Sequence, residues 1–139
     1  MKRSMLLMIL LLNSACAVRE ANLRMFDNQR PTIPSERAAI LANIKASYFD
    51  PYSIRDAEIS HAAPSMGIDG VTILNICVAA NAKNRYGAYS GRQTTLYYLT
   101  TGARVLNTNQ DAFAELFCIN QRLRYEPYVE VEQLGRMSR

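Results

Sequence analysis

The sequence predicts an α+β domain: a small antiparallel sheet of three to four strands, two helices packed on it, and one disulfide. Three observations carry that expectation. Residues 71–80 are apolar on both alternating faces, with Val71, Ile73, Cys77 and Ala79 on one and Leu74, Ile76, Val78 and Ala80 on the other. A strand of that kind is central and covered on both sides. Helical periodicity flanks it, through Leu41, Ile44 and Tyr48 before and Phe113, Leu116 and Phe117 after. Cys77 sits on the strand and Cys118 on the second helix, so a bridge between them ties helix to sheet.

The chain starts with Lys2 and Arg3, then an apolar run over residues 5–12, then Asn13-Ser14-Ala15-Cys16-Ala17. That is the layout of an export signal. The run is far shorter than the about 20 residues that span a bilayer. Two cleavage readings stay open. In one, residues 1–16 form a lipoprotein-type signal and Cys16 is lipidated as the mature N-terminus. Ser14 and Ala15 fit that pattern and Asn13 departs from it. In the other, Ala15-Cys16-Ala17 is an A-x-A site cut after Ala17, which releases a soluble product. The lone cysteine directly after the apolar run favours the first. With Ala17 after the cysteine, the expected place is the outer membrane, facing the periplasm; the alternative is a soluble periplasmic or secreted protein. Residues 17–31 read as a flexible tether, 32–128 as a single domain and 129–139 as a tail.

About 120 residues remain after the signal, enough for one domain with a real core. Removing Lys2 and Arg3 from the formal charge of +4 leaves +2. Dispersed and weak, that charge does not suit nucleic acid. Both cleavage readings leave Cys77 and Cys118 as the unassigned thiols, and in an exported chain such a pair is most simply a disulfide. Its loop of about 40 residues corresponds to about 4 kcal/mol in the chain-entropy account. The alternative is two buried free thiols. Two cysteines and the single His61 do not make a four-ligand metal set, and no cofactor motif is present.

Element by element, Pro31 and Pro34 punctuate a helix start, with Ser35 as N-cap and Glu36 facing the helix dipole. Pro51 ends that helix. Residues 53–60 read as an edge or partly exposed strand, 61–70 as turns around Pro64, Gly67 and Gly70, and 81–92 as a loop. Residues 93–100 and 103–106 read as further strands about the Thr101-Gly102 turn. Thr108 with Asp111 forms a capping box for the second helix. Residues 122–139 wrap the surface.

Asp50-Pro51-Tyr52-Ser53, then Cys77-Val78-Ala79-Ala80-Asn81-Ala82-Lys83-Asn84, then Gly87-Ala88-Tyr89-Ser90-Gly91, form a recurring order. In this the chain resembles a family of small uncharacterised proteobacterial envelope lipoproteins, over about residues 50–100. Ala88 stands where the second of two paired glycines is usual. The resemblance implies envelope location and fold, not an activity.

Loop 81–92 gathers the candidate contact residues Lys83, Asn84, Arg85, Tyr86, Tyr89 and Arg92. Amides and tyrosine rings hold sugars or peptides, and cations hold carboxylate or phosphate. The plainer reading is structural: asparagines closing turns and glycines supplying positive φ. His61 lacks an evident partner for base catalysis. Asp56 and Glu58, on one side of a strand, protect an edge rather than do acid–base work. Ser35 and Ser65 lack a nucleophile context, and Tyr97 and Tyr98 read as sheet packing. The expectation is a non-enzymatic envelope lipoprotein that presents this domain to an envelope protein or glycan, held to the membrane by its N-terminal lipid. A secreted lysozyme- or protease-inhibitor type is the alternative, and a cell-wall hydrolase a more distant one.

Overall fold

A computed structural model describes residues 24–67, 69–120 and 122–137. The signal, both cleavage sites and Cys16 lie outside the described residues. In chain order come helix α1 (Pro34–Ser47), a 3-10 turn (Pro51–Ser53), and strands β1 (Arg55–Ser60), β2 (Ala63–Met66), β3 (Thr72–Lys83), β4 (Tyr89–Thr100) and β5 (Val105–Asn109). Helix α2 (Ala112–Cys118), strand β6 (Tyr125–Pro127) and helix α3 (Val129–Met137) follow. The α+β class holds, with an antiparallel sheet of six strands where three to four were expected.

The sheet runs β5-β4-β3-β1-β6, and β2 also pairs with β3. One edge of β3 carries β4. Its other edge carries β2 at residues 72–75 and β1 at residues 78–81. Two strands escaped the sequence reading for local reasons. Pro64 in β2 reads as a turn residue, yet proline is tolerated on an edge strand. β6 is three residues long and ends on Pro127. It nevertheless makes β1 an interior strand rather than an edge, while the partly exposed alternative agrees with its exposed start at Arg55 and Asp56.

Both faces of β3 are covered, as its pattern requires. On the first face Ile76 and Val78 pack with Tyr97 and Leu99 of β4, beneath Ile40 and Ile44 of α1 and Val131 of α3. On the second face Cys77 and Leu96 pack with Ala114 and Cys118 of α2, together with Phe26 and Leu123. The Cys77–Cys118 disulfide is formed and buried, with 5.7 Å between its Cα atoms. The two expected helices therefore cover opposite faces.

Helix starts differ in detail from expectation. Ile33, not Ser35, occupies the N-cap of α1, because Pro34 takes the first helical position. Glu36 then stands third, accepts the Ile33 N–H at 3.0 Å, and is fully buried. Both terminal nitrogens of Arg30 donate to it, at 3.0 and 2.5 Å, which compensates a buried charge. At α2 the capping box is not formed: Thr108 belongs to β5, and Asp111 alone caps by accepting the Ala114 N–H at 2.9 Å. That bond, first, holds the Asp111 carboxyl below its ordinary value. The apolar face of α2 is also turned about. Ala114 and Cys118 point inward, whereas Phe113 and Leu116 are exposed.

Both ends of the described chain are more ordered than expected. Residues 24–27, assigned to the tether, are helical, and Phe26 is buried. Arg30 exchanges two backbone hydrogen bonds with Ala62. Residues 129–139, assigned to a tail, form α3 over Val129–Met137, with Val131 and Leu134 buried. Arg37 of α1 fastens this end. It holds Glu130 bidentately at 2.7 Å through Nε and Nη2, and Glu126 at 2.6 Å. The Tyr128 hydroxyl donates to the Arg37 carbonyl.

Two outcomes follow from these contacts. Replacing Cys77 and Cys118 by alanine lowers the unfolding free energy by about 3–4 kcal/mol, read by urea titration. The Arg37 hydrogen bond, chiefly, holds the Glu130 carboxyl below its ordinary 4.5. Its stabilisation is complete above that value and is lost as pH falls through the depressed one. Circular dichroism below pH 4.5 therefore shows a shallower loss of stability with falling pH in Glu130→Gln than in the parent chain.

Candidate functional site

Most of the expected loop 81–92 is strand. β3 continues to Lys83, β4 begins at Tyr89, and these two residues pair after an irregularity between Asn81 and Lys83. Residues 84–88 make the turn, and Asn84 closes it. Its N–H donates to the Ala88 carbonyl at 2.9 Å, and its carbonyl accepts the Gly87 N–H at 2.9 Å. Its Oδ1 accepts the N–H groups of Tyr86 at 2.9 Å and Ala88 at 3.3 Å. Gly87 has φ 77° with open space around its missing side chain, so backbone conformation alone selects glycine there.

The base of the hairpin is fastened by Ser53, within the Asp50-Pro51-Tyr52-Ser53 segment. The Ser53 hydroxyl donates to the Asp50 carbonyl at 2.8 Å and accepts the Lys83 N–H at 2.9 Å. The Tyr89 hydroxyl donates to the Ser53 carbonyl at 2.9 Å. The Arg55 guanidinium stacks on the Tyr89 ring at 3.7 Å, and the Lys83 ammonium lies 5.7 Å from it. Ser53 is distant in sequence from both strands it joins, which is why sequence reading recognised the segment without seeing its task.

The six candidate residues thus divide. Asn84 and Tyr89 hold the hairpin's shape. Arg92 is paired with Glu58 across β3. Lys83 and Tyr89 share with Tyr52, Arg55, Glu132 and Arg136 a groove of about 640 Å³. Within it the Glu132 carboxylate accepts the Ala57 N–H at 2.9 Å. Arg85 and Tyr86 stand at the tip, with Tyr86 86% exposed.

A second cleft, of about 350 Å³, lies on the first face between the end of α1 and strands β4 and β5. Tyr48, Phe49, Gln93, Thr95 and Gln110 line it. Gln110 donates to the Thr95 hydroxyl at 2.7 Å, and the Tyr48 hydroxyl lies 3.4 Å from the same oxygen. Burial pushes the Tyr48 phenol up, partly offset by that hydrogen bond. Sequence reading missed this cleft because its walls come from separate segments and form no local motif. The exposed Phe49 beside Asp50-Pro51 was its one available signal.

Other flagged residues are dispersed. Asp56 occupies a bulge in β1 at φ 53°, facing Arg55 at 3.8 Å, while Glu58 takes Arg92. The bulge breaks the strand alternation that put the two carboxylates in one pair. The His61 N–H of the main chain donates to the Arg124 carbonyl, and its buried ring Nδ1 has no hydrogen-bond partner among the described residues. Ser35 is exposed on α1, and Ser65 accepts from Asn75 at 2.7 Å. Tyr97 is buried in the first-face core and Tyr98 half-buried on the second. Among the described residues, no group of three or more His, Cys, Asp or Glu is arranged to hold a metal ion.

No protein-family model, curated protein or solved structure matches the chain.

Replacing Ser53 by alanine removes the hydroxyl that accepts the Lys83 N–H. The expected result is about 1 kcal/mol of lost stability, with amide exchange accelerating at residues 83–89 and unchanged in residues 74–80 of β3. Uniform acceleration throughout the sheet contradicts a local clasp.

Proposed function

We propose that the chain is a non-enzymatic binding protein of the bacterial envelope, anchored through Cys16, whose β3–β4 hairpin engages another envelope protein or glycan. The observation that carries this reading is the hairpin. It is clamped at its base by Ser53 and at its turn by Asn84, and it ends in exposed Arg85 and Tyr86. A clamped turn loses little conformational freedom on binding, and tyrosine and arginine are enriched among residues that dominate interfaces. Lys83, Asn84 and Tyr89 position those two side chains, and Arg92 is held by Glu58 across β3. The buried disulfide suits an oxidising compartment.

The same protruding turn also supports a second reading, a secreted factor that blocks the cleft of a lysozyme or protease. Intact mass separates the two, because an acylated Cys16 belongs to the first and a free Val18 N-terminus to the second.

Tyr86→Ala combined with Arg85→Glu abolishes capture of the envelope partner in cell crosslinking, while the melting temperature stays that of the parent. Undiminished capture by that double variant moves the contact surface elsewhere.

A further inference from the structure

We infer that the outward face of α2 lies on the bilayer surface, beside the point where the chain leaves toward its anchor. Phe113, Leu116 and Ile119 are 61%, 68% and 63% exposed. Their spacing of three places them along one side of α2 and its C-cap, away from Ala114 and Cys118, which face the sheet. Half-buried Phe117 extends the stripe, with its ring 6.5 Å from Phe113 and 5.7 Å from Phe26. Three large apolar side chains left bare on one short helix form the kind of patch that marks an interaction site.

The path of the chain says which occupant. Phe26 lies at the first described turn, residues 24–27, and packs directly on Phe117. On the proposed reading that Cys16 is acylated, seven residues, 17–23, separate the lipid from that turn. Fully extended, they reach at most about 25 Å. The anchor therefore holds the α2 stripe close to the membrane. The hairpin tip is set apart from it: Ala88 precedes Leu96, which packs under α2, by about 27 Å along β4. The sheet's first face, with its cleft, then looks away from the bilayer.

The chain contains no tryptophan, so Phe113→Trp supplies a single reporter. The chain from Val18 onward, carrying an N-terminal hexahistidine, is held on phosphatidylethanolamine–phosphatidylglycerol vesicles by a nickel-chelating lipid. This makes the measurement independent of acylation at Cys16. Brominated acyl chains are expected to quench Phe113→Trp at least about twofold, and Tyr86→Trp not at all. Adding Leu116→Ser and Ile119→Ser to the Phe113→Trp chain removes the quenching, with circular dichroism confirming that the fold is kept. A vesicle-bound chain whose Phe113→Trp emission stays that of water, unquenched, overturns the inference. So does a dimer in solution with Phe113→Trp already shielded before vesicles are added, which assigns the stripe to a second copy. Intact mass of the native protein tests the anchor separately: unmodified Cys16 with quenched Phe113→Trp keeps the docking face and discards the lipid anchor.

Discussion

The structure depends on one constraint: β3 buries seven successive residues, 74–80, and so has no solvent face. A strand with apolar side chains on both sides leaves a large area in water unless two separate layers close over it. The rest of the chain supplies those layers. α1 and α3 close the first face, with Arg37 joining the two through Glu126 and Glu130. The second face is closed by less material, a seven-residue helix and the Phe26 turn. A helix that short is marginal by itself. The disulfide keeps it in place, and its buried position next to Leu96 makes it part of the core as well as a crosslink.

What was legible in the sequence follows from the same constraint. The two-faced pattern of residues 71–80, the periodicity of α1 and the pairing of two cysteines all rest on repeated apolar spacing or on parity, and all were readable. Short elements held by distant partners were not. β2 carries Pro64 and β6 has three residues, so neither repeats long enough to show a period. α3 has a clear apolar stripe, but its burial rests on Arg37, about 90 residues earlier. The first helix is instructive about caps: proline set the boundary, and Glu36 acted as a buried ligand for a backbone N–H and for Arg30. Nothing in the local sequence distinguishes that task from a surface charge near a helix dipole.

For the site, the residues that carried a resemblance turn out to have mechanical work. Ser53, Lys83, Asn84, Gly87 and Tyr89 clasp the hairpin and shape its turn. The two positions the motif leaves open, Arg85 and Tyr86, are the ones that face outward. A motif of this type specifies a rigid platform and leaves its tip free to vary in chemistry. On the proposed reading, ligand choice falls to those two side chains and to the neighbouring groove lined by Arg55, Lys83 and Arg136.

The second face poses a sharper question than the hairpin. A disulfide brings its two Cα atoms within about 6 Å, so α2 must ride close to β3. Only small residues, Ala114 and Cys118, fit between. Phe113 and Leu116 are thereby forced outward, which is how an apolar face that reads as core ends in solvent. Packing accounts for the direction of these side chains and not for their chemistry. Glutamate, lysine or glutamine at the same positions would leave the buried contacts of Ala114 and Cys118 intact and would favour helix as well or better than phenylalanine. Keeping phenylalanine, leucine and isoleucine there gives the core of the described residues little, so the reason for their apolar character lies outside that core.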